Sequence, residues 1–279
     1  MDRALITGIA LAAIAATLLN VGKGVQKMKV DVLKKGRQAF ALDNRRDLSI
    51  WAIGFLMTAS ASGFFSYALK LTDKAGIVSA TAGLGLVALV VFAAVVLRER
   101  FGRREQLGTA LVITGTVLVS YFNRASSFDA SYPVARLFSI GGGALAALLG
   151  LCVFAWKTNR IYSLSFGATA GWLIAVSMVI ADLALIESGN DFIGQLSNPY
   201  PYIALVVGFG ALAITQIAFF RGRAMVVVPT INSVMIAGPP LIEYAVLGTE
   251  LAPLQLVGLA VVVAGVIVLT TAPEGMASR

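Results

Sequence analysis

Apolar residues run along this chain in blocks of about 20, the length a helix needs to cross bilayer hydrocarbon, and each block closes on charged or turn-forming residues. Nine such blocks are predicted as spans, at roughly 4 to 22, 49 to 69, 75 to 97, 106 to 122, 135 to 156, 162 to 186, 201 to 220, 224 to 247 and 252 to 271. The turns between the second and third and between the eighth and ninth are short enough to force antiparallel neighbours. Arg3 ahead of an apolar core gives the first block the outline of a secretory signal. Strongly basic sequence follows it and the chain stays hydrophobic to its end, so a span is expected there instead. One block breaks the pattern: "VVVPTINSVMIAGPPLIEY", Val226 to Tyr244, carries a proline near its start, then Thr, Asn and Ser, a Gly-Pro-Pro and a glutamate.

Composition agrees with a membrane protein. Of 279 residues, 58% are hydrophobic and 13% charged, with a mean hydropathy of +0.86, and a chain this apolar cannot hide its surface from water. The expectation is an all-α integral membrane protein of the cytoplasmic membrane. A net charge of +8 would raise nucleic acid as a partner of a soluble protein, but the placement of the charge explains it. Of the 22 Lys and Arg residues, 17 fall on one side of the predicted spans, and only Arg3, Lys70, Lys74, Arg124 and Arg136 fall on the other. Cytoplasmic flanks collect such residues, so the N-terminus is predicted outside and the C-terminus in the cytoplasm, with no nucleic-acid partner. Histidine is absent and Cys152 is the only cysteine, which removes disulfides, zinc clusters and Cys-His nucleophiles together. No cofactor or catalytic residue is expected.

The long basic segment from Lys23 to Asp47 reads as a solvated cytoplasmic loop, or as a helix lying on the inner leaflet with Met28, Val32 and Leu33 toward lipid. In both cases Lys23, Lys27, Lys29, Lys34, Lys35 and Arg37 are expected against anionic headgroups.

Two passages echo each other, one starting at Lys74 and one at Arg223. Each has a basic residue, a long span, a turn bearing a glutamate (Glu99, Glu250), and a span with two glycines seven apart: Gly108 with Gly115, and Gly258 with Gly265. A spacing of seven returns to nearly the same helix face and leaves a smooth strip for close helix approach. By the charge bias the two copies are inverted in the membrane, the architecture of secondary transporters with a site between the halves.

The stretches "LRERFGRREQLGTALVITGTVLV" and "LGTELAPLQLVGLAVVVAGVIVL" resemble the glutamate-turn and glycine-span signature of the drug/metabolite transporter (DMT) superfamily, EamA type. The nine-span layout, the basic stretch after "LLNVGKGVQK", and "ITQIAFFRGRAMVVVPT" are similar to its NIPA-like branch, associated with magnesium transport. The resemblance implies a DMT-like helical bundle of two inverted repeats, residues 1–123 with four spans and 124–279 with five, in place of two sets of five. The helix lacking from the first set is expected to be replaced by Lys23 to Asp47. The magnesium-associated members carry a Gly-Glu pair in their second span, where this chain has Ala61-Ser62.

Only Asp182 and Glu243 are acids inside predicted spans, and an acid at the bilayer centre costs roughly 2.5 to 3.5 kcal/mol on insertion scales. Both are ion- or substrate-binding candidates, although each sits close to the outer end of its span. Pro229, Gly238, Pro239 and Pro240 are candidates for helix breaks and gating. Thr230, Asn232 and Ser233 share their helix. Ser79 and Thr81 in the repeat-related span, Thr215 and Gln216 in the seventh, and Asn20 in the first join them as candidates for lining a polar cavity. Each alone is equally readable as an interhelical hydrogen bond. Trp51, Trp156 and Trp172 read as interfacial anchors, and three Gly-x-Gly-x-x-Ala matches in apolar spans carry no nucleotide-binding implication. The function expected is secondary transport of a small solute or cation. Alternatives are divalent-cation transport, lipid or lipid-linked-sugar flipping, an intramembrane hydrolase using Asp182 and Glu243, and a structural scaffold.

Overall fold

The computed structural model describes residues 3–72, 81–99, 102–122, 133–158, 161–188, 193–248 and 250–271. Among them the regular structure is entirely helical: α1 (Arg3–Lys29), α2 (Arg45–Thr72), α3 (Ala82–Val95), α4 (Arg103–Tyr121), α5 (Val134–Thr158), α6 (Tyr162–Glu187), α7 (Tyr200–Arg221), α8 (Ala224–Leu247) and α9 (Pro253–Thr271). Six described stretches are long and apolar enough to cross a membrane, lying in α1, α2, α5, α6, α7 and α8. Gly83–Val95 and Pro253–Leu269 are shorter apolar helices. The start of the third predicted span, including Ser79, lies outside the described residues.

Small residues decide which helices meet. The most extensive pairings are α1 with α2, α6 with α7, and α4 with α9; α1 also packs on α3, and α6 on α8. The predicted glycine strips form the α4–α9 contact. A Cβ on Gly108 would stand 2.9 Å from the Gly265 carbonyl oxygen, and one on Gly115 would stand 2.8 Å from that of Gly258. The two backbones therefore cross with no side chain between them. Gly22 and Gly54 do the same for α1 and α2, each Cβ position lying under 3 Å from the other's carbonyl oxygen.

α8 lies at the centre. Residues 224–233 are all buried, as expected of a helix enclosed by neighbours on every side. Val227, Val228 and Ile231 meet Phe219, Leu86 and Leu89 in the main apolar core, and Met225 beside them is fully buried.

The structure corrects three expectations. First, the Lys23–Asp47 segment is not a single loop or a single helix, because its first turns belong to α1. α1 continues seven residues past the predicted end, to Lys29, and a 3₁₀ stretch Val30–Phe40 follows, bent at Gly36 (φ 54°), then Leu42–Asn44. Val30 and Val32 are buried and Leu33 packs on the main core, so this apolar side faces protein, whereas Met28 is exposed. Second, Lys23 is buried and so does not reach the lipid headgroups, and the half-buried Lys27 donates to the carbonyl oxygen of Phe219. Third, the prolines do not break α8, which runs unbroken through Pro229, Pro239 and Pro240. Proline removes one backbone donor, but its fixed φ near −65° is itself helical. Gly238 lacks the Cβ that would crowd the following ring, and its bare face packs on Ala175.

Candidate functional site

Asn20 and Lys23 lie three residues apart on α1, hence on one face, and that face is turned to α8. Lys23 Nζ donates to Asn232 Oδ1 at 2.9 Å, the Asn232 amide donates to Asn20 Oδ1, and Asn20 Nδ2 donates to the Ala16 carbonyl at 2.9 Å. All three side chains are buried: Asn20 is 0%, Lys23 3% and Asn232 1% exposed. No carboxylate among the described residues pairs with Lys23.

One turn further along α1, Gln26 begins a second group. Gln216 Nε2 on α7 donates to Gln26 Oε1 at 2.6 Å, and Trp51 Nε1 on α2 donates to Gln216 Oε1 at 2.9 Å. Gln26 Nε2 donates to Thr58 Oγ1 at 3.0 Å and to the Gly54 carbonyl at 3.2 Å. Polar groups from α1, α2, α7 and α8 thus converge in one interior region. Buried polar groups in such networks hold one another because each, left alone, would forfeit its hydrogen bonds.

Acidic groups that were not among the candidates lie at the start of α8. Glu99 accepts from the backbone N–H of Ala224 at 2.8 Å and of Met225 at 3.0 Å, so it caps the positive N-terminal end of α8. Glu105 pairs with Arg223 and also accepts from the Gly102 N–H at 2.7 Å, capping its own helix. Tyr162 OH donates to the Ile217 carbonyl at 2.7 Å, and the Arg221 guanidinium lies 4.4 Å from the Trp156 ring.

Of the expected site residues, Asn20, Asn232 and Gln216 are brought together. Thr215, Thr230 and Ser233 are buried, but their hydroxyls donate to Ala211, Val226 and Pro229 carbonyls in their own helices. Thr81 is buried beside the start of α3. Glu243 is half-buried on α8, eleven residues past Asn232, or about 16 Å along the helix. Asp182 is exposed on α6. A groove of about 370 Å³ between α2, α6 and α7 contains none of these residues; its one hydroxyl, Ser177, is satisfied by the Ala204 carbonyl at 2.8 Å.

The residues that went unrecognised are Lys23, Gln26, Trp51 and Thr58. The signal was the spacing: Asn20, Lys23 and Gln26 recur every third residue, which is one helix face only if α1 continues past position 22.

Residues 3–121 match the EamA-like transporter family. No curated protein and no solved structure matches the chain.

Proposed function

We propose that this chain is a secondary transporter of the drug/metabolite type that moves a small solute across the cytoplasmic membrane by alternating access between two inverted repeats. The match of residues 3–121 to the EamA-like family supports a multi-pass membrane transporter. The proposal adds the inverted halves, 1–123 and 124–279, and the site between them. The observation that carries it is the buried polar network, in which Asn20, Lys23, Gln26 and Trp51 from the first half meet Gln216 and Asn232 from the second. Bonds across the interface of two rocking bodies must rearrange when the bodies move, so a solute competing for these groups is coupled to the motion. Repetition of the helix pairings, α1–α2 and α1–α3 in one half and α6–α7 and α6–α8 in the other, supports the same reading. Glu243 and Asp182 stand away from this network, so Asn20, Asn232 and Gln216 are the first candidates for solute contact.

Uptake into proteoliposomes across a panel of organic acids, amines, amino acids and divalent cations tests it. Asn232→Ala and Gln216→Ala are expected to lower uptake of the transported solute at least tenfold while eluting as monodisperse protein. Thr230→Val, whose hydroxyl serves only its own helix, keeps wild-type uptake. Wild-type rates in both network variants would sink the assignment of the site.

A further inference from the structure

We infer that Lys23 makes the interior site a receptor for an oxyanion, the carboxylate or phosphate group of a small solute; the inference rests on the transport reading for its biological use. An ammonium has three donors. One of Lys23's is used on Asn232 Oδ1, and no other partner for it exists among the described residues. Among the described residues it has no carboxylate counter-ion either. The carboxylates at the start of α8 are committed there, Glu99 to the backbone of Ala224 and Met225 and Glu105 to Arg223 and Gly102. A buried cation with no anionic partner and with free donors is an unfavourable arrangement, and an arriving oxyanion relieves both deficits at once.

The same chemistry argues against a cationic cargo at this point, because like charges brought together in a weakly polarisable interior repel strongly. Asn20 and Asn232 add selectivity without charge. The Asn232 amide nitrogen already donates to Asn20, and a bound oxyanion can take that donor as its second hydrogen bond. Lys23 belongs to α1 and Asn232 to α8, so an anion held by both ties the halves together and binding biases how they rock. Lys23 is 3% exposed, so the described state has the site enclosed, and the anion enters when α1 and α8 separate.

The test is a thermal-stability titration of the full chain in neutral detergent. Soluble probes are inorganic phosphate, acetate and succinate; phosphatidylglycerol is the lipid probe; magnesium chloride and putrescine are cationic controls, all at matched ionic strength. Wild type is expected to be stabilised saturably by an oxyanion and not by the cations. Lys23→Arg keeps the response. Lys23→Gln weakens it at least tenfold. Asn232→Asp places an internal carboxylate against the ammonium, so this variant melts higher than wild type and no longer responds to anions, which keeps the test decisive if Lys23→Gln does not fold. A Lys23-dependent response to phosphatidylglycerol alone supports the oxyanion site and identifies the headgroup as its source. No anion response in wild type, or responses in Lys23→Gln and Asn232→Asp as strong as in wild type, overturns the inference. Lys23-dependent anion binding without counterflow of that anion in proteoliposomes overturns the transport reading and leaves the site standing. Counterflow of amines or cations that is indifferent to Lys23→Gln does the reverse.

Discussion

A polar side chain in an apolar bundle is informative only through its partner. Thr215, Thr230 and Ser233 look like cavity residues in a one-dimensional string, but each hydroxyl bonds the carbonyl four residues back. Thr109, Thr116 and Ser165 are the opposite case, with buried hydroxyls that have no hydrogen-bond partner among the described residues. Thr116 is 0% exposed on the buried stripe of α4. Replacing an unpaired buried hydroxyl by a methyl removes a desolvation penalty of about 1 kcal/mol or more, so Thr116→Val is expected to raise the melting temperature in detergent. Thr230→Val gains nothing comparable because it gives up a bond, and equal midpoints for the two variants would count against this account. Lys23 was illegible for a related reason. A lysine next to a basic run has the statistics of a cytoplasmic flank, and only the continuation of α1 to Lys29 turns it inward. Its neighbours in sequence carry no sign of Asn232, some two hundred positions away.

At the level of helices, spacing was readable where it reports a face and misleading where it reports a residue type. Glycines seven apart predicted a smooth strip, and α4 and α9 meet along it. The prolines of α8 predicted a break because proline weakens helices in water, whereas here the helix runs on through them with the dihedrals that proline already prefers, enclosed on every side around Pro229 and partly exposed around Pro239. The glycine contact can be tested sharply. A Cβ at Gly115 would stand 2.6 Å from Val262 N and 2.8 Å from Gly258 O, both backbone atoms that cannot swing aside. Gly115→Ala is therefore expected to shift the protein from a monodisperse size-exclusion peak toward aggregate. Gly143→Ala on α5, where nothing lies within 4 Å of the added carbon, is expected to elute normally and to gain up to about 1 kcal/mol of helix propensity. Two normal elution profiles would show that α4 and α9 do not approach this closely.

For the whole molecule, the orientation expected from the lysines and arginines is a matter of insertion and not of packing, so the fold itself does not test it. The network lies toward the end of the bundle that holds Arg221 and Arg223: Asn232 is nine residues into α8 from Arg223, about 13 Å along it. Orientation therefore decides which compartment the site meets first. Labelling of single cysteines in intact cells measures it, starting from Cys152→Ser, since the native thiol is buried with its sulfur 3.1 Å from Thr169 Oγ1, a contact that a serine hydroxyl can keep. Arg37→Cys and Leu196→Cys, both at exposed positions outside the α-helices, then report the two faces. With the predicted orientation, a membrane-impermeant maleimide labels Leu196→Cys in whole cells and reaches Arg37→Cys only after lysis. The reverse pattern would turn the bundle over, and an anion bound at Lys23 would then be taken first from outside the cell.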